Sequence, residues 1–220
     1  MRGTLSETIC KKEKLNLVFR DHKFRHKEDQ VKNFQYHLAR KLTYVFQEQE
    51  IITEWSASIN NEIYSPRLDL AVGPFAIHDI YINEYDQLIH HPRVGNFLSM
   101  LYQAYRTNVE RDSYFSIPEI NEKLFMNLNA RCFLSIEIEN AVTQKHIIGG
   151  IVNASALGRV GILIPWNHKQ MRAFLRALNY LGFLKSVGKN TFDTTNIFVI
   201  TKEQIEIILE SFSEERMGIG

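Results

Sequence analysis

Apolar residues recur at three- and four-residue steps along KEDQVKNFQYHLARKLTYVFQEQ, residues 27–49. Val31, Phe34, Leu38, Leu42, Val45 and Phe46 fall on one side of a helical wheel, which predicts an amphipathic helix. The period then changes. IITEWSASI (51–59) is rich in β-branched residues and precedes the hydrophilic Asn60-Asn61-Glu62, so it reads as a strand and a turn. Pro66 and Pro74 bracket a short strand, RLDLAVG, with Asp69 in its middle. Residues 75–131 are broken by His90-His91-Pro92 and Gly95; helices are expected at about 95–110, with Phe97, Leu98, Leu101 and Tyr105 inward, and at 118–129. This stretch reads as a partly helical insertion.

The pattern sharpens after it. CFLSIEIE (132–139) is a strand. Thr143 stands where a helix cap belongs, and the helix it opens runs to about Leu157 despite Gly149-Gly150, with Gly158 ending it. RVGILIP (159–165) is a buried strand stopped by its proline. Strand, helix and strand in this order predict two parallel strands joined by a right-handed crossover. A further amphipathic helix covers 167–181, with Met171, Phe174, Leu175, Leu178 and Leu181 inward and Lys169, Arg172 and Arg176 outward. Short strands at 183–187 and 195–200 and a helix from about 202 to 213 complete the expectation. The fold class is α/β: a mixed sheet flanked by helices, one domain over residues 1–220, with 75–131 inserted in it.

Composition leaves that class unchanged. Hydrophobic residues are 45% and charged residues 23% of 220, an ordinary globular balance. No apolar run reaches the length of a membrane span, and MRGTLSETICKKEK lacks the apolar core of a secretory signal. Cys10 and Cys132 make no CxxC pair, so two reduced thiols in a cytoplasmic protein are expected.

Charge changes the picture more. The net charge of +1 conceals an asymmetry: Asn140 to Phe192 contains no Asp or Glu, where the chain-wide frequency would place about six. The same stretch carries Lys145, Arg159, Lys169, Arg172, Arg176, Lys185 and Lys189. Residues 11–27 are also rich in cations: Lys11, Lys12, Lys14, Arg20, Lys23, Arg25 and Lys27 against Glu13 and Asp21. Polyanions are the natural partners of such segments, and a solvated basic surface is the plainer alternative.

The carboxylates supply the chemistry. Side chains alternate along a strand, so Glu137 and Glu139 share a face opposite Ile136 and Ile138, and Asp69 points away from Leu68 and Leu70. If strands 66–72 and 132–139 pair, three carboxylates converge at one end of a sheet. Close carboxylates repel unless a cation joins them, and hard oxygen donors with room for water and phosphate suit Mg²⁺. A half-exposed strand face explains the same alternation without any site.

The order helix, strand, strand with Asp, strand with ExE, helix, strand resembles the PD-(D/E)xK nuclease superfamily, the restriction-endonuclease-like fold. Pro66-Arg67-Leu68-Asp69 and Glu137-Ile138-Glu139 carry the resemblance, followed by the crossover helix and RVGILIP. It covers roughly residues 27–165 apart from 75–131. Pro66 stands three residues before Asp69 rather than next to it, 67 residues separate Asp69 from Glu137, and Glu139 replaces the usual lysine, as it does in a subset of restriction endonucleases. The resemblance implies a Mg²⁺-dependent endonuclease acting on double-stranded DNA, often as a homodimer. It implies that Asp69 and Glu137 hold the metal, that Glu139 holds a second metal or orients the attacking water, and that Lys145, on the next helix, helps polarise the phosphate. Lys169, Arg172 and Arg176 would then contact DNA backbone. Its rival is a DNA-binding or assembly subunit that does not cleave; a third reading is a small-molecule enzyme or interaction domain.

Other residues weigh less. Glu54, Glu28 and Gln47 are subsidiary candidates near the carboxylates. His90 and His91 have no partners at metal spacing and are read as structural. Trp166 and Tyr180 are read as core or rim residues rather than base-stacking platforms, and Ser135 lacks the His/Asp partners of a nucleophile. GxxxxGK[ST] and GxGxxG are both absent.

Overall fold

The computed structural model describes residues 27–58, 65–110, 116–140 and 143–216. The cations from Lys11 to Arg25, Cys10, and the side chains of Lys27 and Glu28 lie outside what is described. In chain order the elements are α1 (Lys27–Leu42), β1 (Ile51–Ser56), β2 (Arg67–Val72), α2 (Ile82–His90), α3 (Pro92–Val109), α4 (Ile120–Phe125), β3 (Cys132–Glu139), α5 (Gln144–Leu157), β4 (Gly158–Pro165), α6 (His168–Ser186), β5 (Ile197–Val199) and α7 (Lys202–Arg216).

The five strands form one mixed sheet in the order β1-β2-β3-β4-β5. β1, β2 and β3 pair antiparallel; β3, β4 and β5 pair parallel. The parallel half follows from its connections, because α5 links β3 to β4 and α6 links β4 to β5, the long crossovers that parallel strands need. The expected α/β class, a mixed sheet with helices packed on it, is the class of the fold.

β4 is buried at every position, GRVGILIP, as a strand covered on both faces should be. Glycine is needed at its start. A Cβ on Gly158 would stand 2.1 Å from Ser135 Oγ and 2.6 Å from the Val160 carbonyl oxygen. The principal core gathers Leu38 and Phe46 with Phe97, Phe133, Phe198 and Phe212; α2 and α3, inside the stretch read as an insertion, contribute Tyr85, Phe97, Leu98 and Leu101 to this same core. A smaller cluster joins Trp55, Leu68, Ala71, Cys132 and Leu157.

Several boundaries differ from expectation. α1 stops at Leu42 rather than Gln49; Thr43, Tyr44 and Val45 make i→i−3 bonds to Arg40, Lys41 and Leu42, so the chain tightens into turns while Val45 and Phe46 stay buried. The helix expected at 118–129 is only Ile120–Phe125. Residues 183–187 are not a strand. α6 continues to Ser186 and closes in a Schellman motif: Lys189 N–H donates to Leu184 O at 2.9 Å and Gly188 N–H to Lys185 O at 3.1 Å, with Gly188 at φ 72. Among the described residues no helix is long and apolar enough to cross a membrane.

Candidate active site at the β1–β3 corner

Register places the carboxylates. β1 pairs with β2 through Thr53↔Leu70 and Trp55↔Leu68, so Glu54 stands opposite Asp69. β2 pairs with β3 through Leu70↔Ile136, so the next residues along, Asp69 and Glu137, oppose each other. Glu54, Asp69 and Glu137 thus form a transverse row across three adjacent strands. Like charges opposed across a sheet destabilise it, and the backbone departs from regularity at this row. Glu54 adopts φ 53, uncommon for a residue other than glycine, and the β2–β3 ladder ends at Leu70↔Ile136.

Side chains fill the places that ladder bonds leave. Ile138 N–H donates to Asp69 Oδ2 at 2.6 Å. The buried amide of Gln35, on α1, donates to the Asp69 carbonyl oxygen and to Glu54 Oε1, the latter at 3.3 Å. Arg67 Nε pairs with Glu54 Oε2 at 2.8 Å, a largely exposed contact. On the other flank, Asn153 of α5 donates to Glu137 Oε1 at 3.2 Å. Gly150 faces Glu137: a Cβ there would lie 3.8 Å from Glu137 Cβ, an ordinary van der Waals contact.

The electrostatics record the crowding. Burial raises the Asp69 carboxyl to about 6; Glu54 and Glu139 push the same way, while the Ile138 N–H and Arg67 oppose. Burial also holds Glu137 well above the usual carboxylate range, reinforced by Asp69 and then by Glu139 and Glu54, against the Asn153 amide. The four acids therefore feel one another as a group. Glu139 is half-buried at the end of β3, and its carbonyl oxygen accepts from Trp166 N–H at 2.9 Å. Among the described residues no three His, Cys, Asp or Glu side chains are grouped so as to hold one metal ion.

The remaining expected residues are spread around this corner. Lys145 is exposed in the first turn of α5. The α5 face that meets Glu137 is that of Gly150 and Asn153, and at 100° per residue Lys145 is rotated about 110° from it. His146, one turn nearer Glu139, shares that face. Lys169, Arg172 and Arg176 lie on α6, whose start is tied to the same end of β3 by Gln170 Nε2 donating to Asn140 O at 2.8 Å. Gln47 is exposed in the turns after α1. Ser135 is buried and donates to the Ala154 carbonyl oxygen at 2.8 Å, a packing role. His90 Nδ1 lies 2.6 Å from Asp86 O, and His91 occupies the cap position of α3, away from the acids. Trp166 packs edge-on against Phe34 and under the Lys202 ammonium, as a rim residue would. Tyr180 stands exposed on α6, outside the core.

Two contributors were missed from sequence. Gln35 falls inside the apolar stripe of α1, four residues after Val31, and a polar residue in that position is the signal that it reaches a buried partner. Asn153 follows Gly150 at helical spacing, three residues on. No family model matches the chain, and comparison with curated proteins and with solved structures finds no match.

Proposed function

We propose that the protein is a Mg²⁺-dependent endonuclease that hydrolyses phosphodiester bonds of double-stranded DNA. The observation that carries this reading is the opposition of Asp69 and Glu137 on adjacent strands, two half-buried carboxylates whose pKa values are raised by burial and by the neighbouring acids. The donor set fits Mg²⁺, which is commonly held by one or two carboxylates, with water and substrate phosphate completing its shell. Asp69 Oδ2 is engaged by Ile138 and Glu137 Oε1 by Asn153, so the second oxygen of each would be the donor to a metal. Further support comes from the element order α1-β1-β2-β3-α5-β4 that the PD-(D/E)xK resemblance implies.

Each residue then has a task. Asp69 and Glu137 bind the ion, and Asn153 and the Ile138 N–H fix their orientation. The ion supplies charge neutralisation at the phosphate and easier ionisation of the attacking water. Glu139 orients that water toward phosphorus, or holds a second ion. Lys145 approaches a phosphate oxygen from the exposed turn of α5. Lys169, Arg172 and Arg176 hold the backbone beside the cut, and a homodimer would address both strands.

Nicking of supercoiled plasmid tests the reading. The protein should convert it to open circles with Mg²⁺ and not with EDTA, and Glu137→Gln should abolish conversion while duplex binding persists or tightens. Metal-independent nicking, or equal activity in Glu137→Gln, would overturn it. The second reading, a DNA-binding or assembly subunit that does not cleave, is favoured by the glutamate at the usual lysine position. It predicts binding with no nicking under either condition.

A further inference from the structure

The outward face of α6 carries a second pattern. Lys169, Arg172, Arg176, Tyr180, Phe183 and the cap residue Val187 fall within a sector of about 80° at 100° per residue. The row is about 27 Å long at 1.5 Å per residue. Its first half is cationic and its second half apolar. Tyr180 is 58% exposed, Phe183 48% and Val187 51%. These are large apolar groups left on the face opposite the one that Phe174, Leu175 and Leu181 bury. The ion pairs seen among the described residues use other cations: Lys41, Arg67, Arg106, Arg159 and Lys185. The segment from Asn140 to Phe192 offers the row no acid of its own.

The row also has a direction. Its cationic end begins just after β4, where Trp166 N–H and Gln170 bind the end of β3 next to Glu139. The aromatic end lies farther from the carboxylates. A duplex presents phosphates to such a helix and keeps the faces of its bases stacked inside. A strand with unpaired bases presents both, and bases stack on exposed aromatic rings with little regard to sequence.

We propose that this row is a track for single-stranded DNA leading away from the carboxylate corner. Lys169, Arg172 and Arg176 take phosphates, and Tyr180 and Phe183 lie beneath unpaired bases. The inference rests on the nucleic-acid reading above and sharpens it: the substrate carries an unpaired flank beside the duplex that is cut.

The test is fluorescence anisotropy in EDTA with a labelled single-stranded oligonucleotide and its duplex. The Tyr180→Ala/Phe183→Ala double variant should bind the single strand about tenfold or more weaker, at the scale of one to two lost stacking contacts. Its duplex affinity should change less than twofold. Tyr180→Phe with Phe183→Trp should restore single-strand binding, because stacking needs the ring and not its identity. Equal losses on single strand and duplex would overturn the track, as would no loss on either. So would an aromatic variant whose DNA binding is intact but whose sedimentation shows a lost dimer, since the row would then be a self-association face. Plasmid nicking by the same preparations separates this outcome from the fate of the nuclease reading. Absent nicking with an intact, ring-dependent single-strand affinity sinks the nuclease and leaves the track; nicking without that affinity does the reverse.

Discussion

Asp69→Asn is the substitution whose effect can be worked through from the structure. Burial moves the Asp69 carboxyl from 3.8 to about 6 in the folded protein. A folded pKa above the unfolded one means that the protonated form is preferred in the fold. The stabilisation from this group is complete below about pH 3.8 and is lost as pH rises through about 6. At about 1.4 kcal/mol per pH unit, the ionised carboxylate costs the metal-free protein roughly 3 kcal/mol at pH 7 and above. Asparagine removes the charge and keeps an oxygen to accept the Ile138 N–H that Asp69 Oδ2 now accepts at 2.6 Å. In EDTA the variant should therefore match the parent near pH 4 and exceed it by about 2–3 kcal/mol at pH 7.5, roughly 5–10 °C in Tm for a chain of this size. Urea unfolding at several pH values reads this directly. With saturating Mg²⁺ the order should reverse, because only the parent gains from binding the ion. A variant that is less stable at pH 7.5 in EDTA, or a difference that does not grow with pH, would refute the reasoning. Asp69 would then be held by Arg67 and its backbone partner without penalty.

Three further outcomes are expected. Glu139→Lys should keep part of the plasmid-nicking activity, because no three carboxylates converge on one ion among the described residues; complete loss would show that Glu139 holds a second ion. Arg172→Glu with Arg176→Glu should weaken duplex binding and flatten its salt dependence by roughly two units of log–log slope, since each phosphate contact releases counterion; an unchanged slope in an anisotropy titration would place DNA elsewhere. Gly158→Ala should destabilise by about 3 kcal/mol in urea unfolding, because its Cβ would meet Ser135 Oγ at 2.1 Å and Cβ at 2.8 Å in a closely packed layer.

Much of the fold was legible because hydrophobic period and turn chemistry agreed. β2, β3, α5 and β4 fall within a residue or two of their expected places, and the parallel crossover follows from their order. The pairing that brings Asp69 to Glu137 was conditional in the sequence and is present in the sheet. What escaped depended on contacts between distant segments. α1 ends early because Val45 and Phe46 can be buried from a turn as well as from a helix. The end of α6 reads as a strand because LGFLKSV alternates loosely, although Gly188 marked the true stop. Glu54 at φ 53 has no sequence signature at all, and the residue it stands opposite, Asp69, is 15 positions away. Whether Tyr180 lies in the core or at the rim depends on a rotation of α6 that Leu175 and Leu181, buried on its other face, determine.

The strand order in the sheet is also the order of synthesis. Each strand pairs with the one made just before it, so none must wait to be inserted between two earlier partners. The carboxylates of Glu54, Asp69 and Glu137 are all translated, along with Gln35 and Arg67, before α5 exists. At 5–20 residues per second, the ribosome needs about 1–5 s more to reach the end of β4. During that interval one whole edge of β3, CFLSIEIE, has its antiparallel neighbour and lacks its parallel one. An apolar strand with an open edge is a template for pairing with other chains. A chain terminated just after residue 140 would keep that edge open permanently, so truncation there creates an aggregating species rather than a smaller version of the protein.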